Sequence, residues 1–274
     1  MINISKKKDC CGCNACGDVC PKHSITFKID KEGFWYPEVE MDTCIDCHLC
    51  EKVCPLLNKE EYKNIDGYVK PKTYALVHKN IEIFRQIMGE IAARDVEGIL
   101  LIVSNPVDIL TYAAWKFSGL PRHRVIGSGT VLDTARLKCM LGGELGVDAR
   151  SVHAFIIGEH GDSELAVFSS ANVSGIDLRD FYDMCQPDEY QDDTERIYDQ
   201  VKDSAYKIIE SKKATYFGVA MAVCRICECI MRNEHSILTV SGVVEGQYGA
   251  SDMALSLPCI VGAGGLEQII QIEL

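Results

Sequence analysis

Apolar and polar positions follow a helical period from Val131, where Leu132, Ala135, Met140 and Leu141 give an apolar side while Asp133 and Arg136 stand three apart. Both polar heads can therefore project from one face. The next apolar run, VHAFII, is followed by Gly158 and Gly161, which predicts a strand ending in a loop with His160 at its carboxyl end. Upstream, GILLIV predicts a short strand, and the helix ahead of it begins at Asn80 as cap with Ile81, Phe84, Ile87, Met88 and Ile91 at helical spacing. Downstream, Ile197, Val201, Ile208 and Ile209 predict a long helix across Tyr190 to Lys207, and SILTVSGVVEGQYG and LSLPCIVGAGGLEQIIQIEL predict strands and turns. Toward the amino terminus, SITFKIDKEGFWYPEVE alternates as a hairpin with Lys31 to Gly33 at its turn. A polar stretch with Gly67 and Pro71 leads to KTYALVHK, which predicts one short strand.

The chain has 274 residues, 47% apolar and 25% charged, room for two ordinary domains of a globular protein. Its apolar runs are too short to cross a bilayer, and its lysine-rich start lacks the apolar region of a secretory signal. We expect a cytoplasmic protein with no membrane partner. A net charge of −12 argues against a nucleic-acid partner, because phosphate binding needs a basic surface.

Cysteine usage changes the picture. Of 15 cysteines, nine crowd between residues 10 and 54. Cys10, Cys13, Cys16 and Cys20 before Pro21, then Cys44, Cys47, Cys50 and Cys54 before Pro55, each read C-x2-C-x2-C-x3-C-P. The first three thiolates of a run reach one cuboidal cluster and the fourth leans across to the other. This predicts two 4Fe-4S clusters, one on Cys10, Cys13, Cys16 and Cys54, the second on Cys44, Cys47, Cys50 and Cys20, with Cys11 spare. Zinc is the alternative, but zinc sites seldom show a doubled run of this form. Phe34, Trp35 and Tyr36 either cover a cluster or form the small core of such a unit. Cys224, Cys227 and Cys229 lie in an apolar helical segment without an evident fourth ligand and are expected to be buried thiols.

Asp133, Arg136 and His160 are the residue types that acid-base work on a small oxo acid requires. An imidazole gives or takes a proton near neutrality, a carboxylate on its other nitrogen fixes the tautomer, and a guanidinium fork anchors a carboxylate through two hydrogen bonds. On spacing alone, an Asp/Arg pair three apart is more often a surface helix pair.

The wording of the segments decides further. SNPVDILTYAAWKFSGLPRHRVIGSGTVLDTARL, VHAFIIGEHGDSE and KKATYFGVAMAV, in that order, resemble the lactate/malate dehydrogenase family, the lactate branch in particular, from about Asn80 to Leu274. The resemblance implies His160 as proton donor and acceptor, Asp133 as its partner, Arg136 as substrate-carboxylate anchor, Asn105 as a residue touching substrate and nicotinamide, and Thr215 as a substrate-pocket hydroxyl. It implies NAD and a small 2-oxo or 2-hydroxy acid. DCCGCNACGDVCPKHSI, DKEGFWYPEV and TCIDCHLCEKVCP resemble bacterial-type ferredoxin domains, more narrowly those of the beta subunits of deazaflavin-reducing hydrogenases.

The expected fold is therefore α/β and α+β: a ferredoxin-like iron-sulfur domain over residues 1–58, a linker with a short strand over 59–79, a residual half of a nucleotide-binding Rossmann domain over 80–128, and a dehydrogenase-type substrate domain over 129–274. Each side of a junction near Lys79 looks like a fragment, which also fits a join of two genes. No G-x-G-x-x-G follows a strand, and the first arginine is Arg85, so the pyrophosphate cradle and the loop arginine of the family are missing. Two functions remain open: an L-lactate dehydrogenase-type enzyme, or an iron-sulfur electron-transfer protein carrying an inactive dehydrogenase remnant. Lost strands expose a sheet edge, so a homo-oligomer or a partner subunit is expected.

Overall fold

The structure is a computed structural model. It describes residues 2, 10, 12–29, 35–54, 57, 73–94, 96–185, 189–212 and 215–274. The chain divides into two compact units, Met1–Lys70 with Lys207–Tyr216, and Pro71–Tyr206 with Phe217–Leu274.

In the first unit, α1 (Ala15–Asp18) and α2 (Leu49–Lys52) each follow a residue in the left-handed conformation, Asn14 at φ 62° and His48 at φ 58°. Between them β1 (Ile25–Ile29) and β2 (Trp35–Val39) pair antiparallel, from Ile25 opposite Val39 to Ile29 opposite Trp35. The expected hairpin is present; its turn, Phe34 and Cys11 lie outside the described residues. Trp35 is exposed and Tyr36 half-buried. The core is small: Ile2, Cys16, Cys50 and Cys54, flanked by Val19, Ile25, Phe27 and Val39.

The second unit opens on α3 (Thr73–Ala92), which corrects the expected strand over KTYALVHK and the expected cap at Asn80. No glycine or proline separates KTYALVHK from the helical stretch after it, and Ala and Leu are good helix formers, so one helix runs through. Asn80 instead donates its side-chain amide to the Asn105 carbonyl at 3.1 Å. Met88 of α3 is buried against Ile102, Val107, Leu110, Ala114 and Val125, with Ile81, Phe84 and Ile91 beside it, whereas Ile87 is exposed.

Next come β3 (Leu100–Ile102), α4 (Val107–Ser118), β4 (Val125–Gly127) and α5 (Val131–Glu144). β3 and β4 run parallel, the remnant of an α/β layer. On α5 Val131, Leu137 and Leu141 are buried along with Asp133 and Gly142; of the expected apolar side Leu141 is buried, Leu132 and Met140 pack against cores, and Ala135 is exposed. An antiparallel sheet comes after it, from β5 (Val152–Ile157), β6 (Leu165–Val173) and β7 (Ile176–Asp177), in the order β5-β6-β7. α6 (Leu178–Cys185) and α7 (Tyr190–Lys212) cover it, placing Leu178, Tyr182, Ile197 and Val201 in one core with Leu137, Leu141 and Ile156.

The rest is α8 (Phe217–Met231) and the strands β8 (Ser236–Leu238), β9 (Ser241–Glu245), β10 (Ser251–Ser256), β11 (Cys259–Gly262) and β12 (Gly265–Ile269). β9 and β10 extend the parallel pair into a mixed sheet, β10-β9-β4-β3, with β10 and β3 at its two edges. One face of α8 buries Ala222, Ile226 and Cys229. Cys224 and Cys227 are exposed, against expectation, because offsets of two and five residues from Ala222 turn them to the opposite side. Cys229 donates to the Val261 carbonyl at 3.1 Å. Among the described residues no helix is long and apolar enough to cross a membrane.

Candidate functional site

Three chain turns place the polar groups of the second unit. β4 ends at Gly127, and the chain enters α5 through Gly129 at φ +53°. A Cβ there would stand 2.6 Å from both the Ser241 amide nitrogen and the Thr239 carbonyl oxygen, so only glycine fits. Thr130 is anchored by its hydroxyl to the Ile156 carbonyl at 2.5 Å, which fixes the first turn of α5 beside β5. Asp133 sits in that turn, almost fully buried, and Arg136 one turn on, half-buried. Asp133 is favoured there by the positive end of the helix dipole.

β5 runs out at Ile157 into a loop that leads to His160. Gly158 has φ +96° and exchanges two backbone hydrogen bonds with Ser256 of β10, at 2.8 and 2.9 Å. The loop is fixed further along: Tyr206 donates to Asp162 at 2.8 Å, and the Tyr198 hydroxyl donates to the Glu164 carbonyl.

His160 Nδ1 lies 2.6 Å from Asp133 Oδ2, and Arg136 donates from Nη1 to Asp133 Oδ1 at 3.2 Å. One carboxylate thus holds both the imidazole and the guanidinium. Its acceptor role puts the proton on Nδ1, which leaves Nε2 to face a ligand. Burial alone would lower the His160 pKa, but the charges of Asp133, Asp108 and Glu164 raise it above its ordinary value.

Asp108 is a site residue that the sequence patterns do not single out. It lies in the first turn of α4, is 5% exposed, and accepts the His160 backbone N–H at 2.8 Å, the Ser241 hydroxyl at 2.6 Å and the Ser256 hydroxyl at 3.1 Å. Burial raises its pKa, and those three donors work against that rise. A signal exists: an acid between Val107 and Leu110 in an otherwise apolar helix start has to be paired. Glu164 is a second such residue; it is buried, and among the described residues Oε1 has no hydrogen-bond partner.

Asp133, Arg136 and His160 therefore meet. Asn105 is exposed in the loop after β3, and among the described residues its side chain makes no hydrogen bond to those three. Thr215 is half-buried between α7 and α8, in the segment grouped with the first unit.

The cysteine runs meet as well. Cys20, Cys44, Cys47 and Cys50 line one small cleft together with Ser24, Ile25 and Val39. Ser24 is buried there, and its backbone N–H and hydroxyl both lower the Cys20 thiol pKa. Backbone N–H groups point at sulfur: Ile2 to Cys50 at 3.2 Å, Gly12 to Cys10 at 3.3 Å, and Ser24 to Cys20 at 3.4 Å. Such donors suit thiolate ligands of a cluster. Cys16 and Cys54 share the small core.

Comparison with known proteins gives the same two parts. Residues 9–57 match the 4Fe-4S dicluster domain, residues 72–127 the lactate/malate dehydrogenase NAD binding domain, and residues 130–274 the lactate/malate dehydrogenase alpha/beta C-terminal domain. An L-lactate dehydrogenase of Acetivibrio thermocellus is 54% identical over 197 residues, covering 72% of this chain and 62% of the relative. One of Bacillus licheniformis is 42% identical over 278 residues, covering 100% of this chain and 81% of the relative. The crystal structure of a minor L-lactate dehydrogenase from Enterococcus mundtii, in its ligands-bound form, superimposes with a TM-score of 0.72 at 41% identity, covering 77% of this chain and 67% of that one. The chain thus spans under two thirds of the length of the Acetivibrio relative. It belongs to the lactate/malate dehydrogenase family and carries a 4Fe-4S dicluster domain ahead of its dehydrogenase part.

Proposed function

We propose that residues 129–274 form a substrate domain for a small 2-oxo or 2-hydroxy acid, in the manner of an L-lactate dehydrogenase. The observation that carries this reading is the joint hold of Asp133 on His160 and Arg136. Arg136 anchors the substrate carboxylate with the guanidinium donors that Asp133 does not take. His160 gives a proton to the carbonyl oxygen of a 2-oxo acid, or takes one from the hydroxyl of a 2-hydroxy acid, through Nε2. Asp133 stabilises the imidazolium and holds the ring, while Asp108 holds the backbone of the loop. Asn105 and Thr215 are further substrate contacts by family resemblance.

NAD would supply or accept the hydride in this chemistry, and the residues present do not fit all of it. Residues 80–128 keep two parallel strands and Asn105, but no glycine-rich turn stands ahead of them in the sequence to cradle a pyrophosphate. The chain's own residues support oxo-acid binding and proton exchange.

The amino-terminal domain fits two 4Fe-4S clusters: Cys10, Cys13, Cys16 and Cys54 would hold one, and Cys20, Cys44, Cys47 and Cys50 the other. When bound they pass single electrons at low potential. Zinc fits less well, since zinc sites seldom show a doubled C-x2-C-x2-C-x3-C-P run. An electron-transfer protein carrying an inactive dehydrogenase remnant is the second reading, favoured by the cysteine-lined cleft together with the missing cradle. Titrating the full chain with oxamate, a non-reacting 2-oxo acid mimic, tests the substrate reading: saturable binding lost in Arg136→Ala supports it, and no binding removes it.

A further inference from the structure

Glu164 ends the loop that carries His160, and the proposed reaction gives it no task. Its side chain is almost wholly inside the protein, at 5% exposure for the residue, and Oε1 is buried without a hydrogen-bond partner among the described residues. One carboxylate oxygen of Glu164, one of Asp133 and a ring nitrogen of His160 all lie within 4.8 Å of one another. Two carboxylates and one imidazole thus share a pocket in which Asp133 already holds both cations. A second ionised carboxylate there, with no donor on Oε1 among the described residues, is costly, so the proton stays on it well above the pH at which an exposed glutamate loses it.

We propose that Glu164 is a third, proton-holding member of the Asp133–His160 site, and that it shares with His160 the protons exchanged near neutral pH. Two groups this close titrate as a coupled pair, and their steps belong to the pair. The groups that face Glu164 are Asp133, His160, Arg136 and Lys202; those that face His160 are Asp133, Asp108 and Glu164. Burial first, then the Asp133 charge, push Glu164 up to about 7, against the pull of His160, Arg136 and Lys202. A proton on Glu164 makes the pocket one charge more positive, which favours an incoming substrate carboxylate at Arg136. Glu164 acts here as a positioning residue: it sets the charge of the site, and the reacting proton stays with His160.

The consequence for a 2-oxo acid rests on the substrate reading above; the shared titration does not. The test uses the full chain. Carboxyl carbon-13 signals of labelled glutamates, with Glu164 assigned by its loss in Glu164→Gln, should show Glu164 titrating near neutrality, well above an ordinary glutamate. The His160 ring nitrogen signals should titrate in two steps in the wild type. In Glu164→Gln they should show one step at lower pH, because the carboxylate that favours the imidazolium is gone. Oxamate binding, followed calorimetrically in two buffers at pH 7.5, should take up about one proton more in the wild type than in Glu164→Gln. Glu164→Asp supplies the assignment if the Gln variant does not fold. A Glu164 carboxyl that titrates at its ordinary position, or superimposable His160 curves, would overturn the proposal. Coupled titration without any oxamate binding would support it and remove the substrate reading instead.

Discussion

His160 Nδ1 and Asp133 Oδ2 are 2.6 Å apart, across 27 residues of sequence and between the end of a strand and the first turn of a helix. The contact raises the His160 pKa, so its loss should be visible as a pH shift. In Asp133→Asn the His160 midpoint should fall, and oxamate affinity at pH 7.5 should drop about tenfold, the equivalent of one pH unit. A histidine titration followed by NMR, with calorimetry alongside, checks both.

That contact is legible in the sequence because its two ends sit in strong patterns. The helical stripe of α5 locates Asp133, and the VHAFII strand with Gly158 locates His160. The paired cysteine runs are equally plain, since metal spacing is local. Glu164 is not legible, and Asp108 only as an acid in an apolar helix start, because their partners, Ser241, Ser256 and Asp133, come from distant strands and a helix. α3 departs from expectation for a related reason: the eight residues read as a strand lose to an adjoining helix with no breaker between them. Thr215 and Asn105 rest on family resemblance, and no local pattern marks either one.

Arg136→Lys retains the charge and loses the fork. Oxamate binding should weaken about tenfold while the Asp133–His160 contact persists. Unchanged affinity by calorimetry would place the carboxylate elsewhere.

Asp108→Ala removes the acceptor of one backbone N–H and two hydroxyls inside the core. Urea unfolding should show a loss of about 2–3 kcal/mol, the usual cost of stranding buried donors. The His160 signals should also broaden as the loop loses its anchor.

Stability should fall as pH rises from about 5 to 8. Glu164 has its folded pKa raised from 4.5 to about 7, so the stability it contributes is present below its unfolded pKa and is lost as pH climbs through the folded one. His160, also raised, acts in the same direction above its unfolded value. Glu164→Gln should flatten that slope by about 1–2 kcal/mol, a figure discounted for partial solvent screening. Urea unfolding at pH 5.5 and 8 measures it.

Anaerobically prepared protein should carry about eight irons with matching sulfide, two clusters of four. Cys47→Ala should lose about half of each, and Cys11→Ala none. Zinc without sulfide would end the cluster assignment.

The central claim is that this chain keeps the acid-base and carboxylate-anchoring half of a lactate dehydrogenase site without the pyrophosphate cradle that places a hydride. A hydride donor has to be held about 3–3.5 Å from the carbonyl carbon for transfer. Steady-state reduction of pyruvate by NADH, measured on the full chain beside His160→Ala, tests this most directly. The account predicts a rate at or near that of the His160→Ala control in a protein that still binds oxamate. Robust turnover that His160→Ala abolishes would contradict it, and would show that the residual half-domain is enough to hold the cofactor.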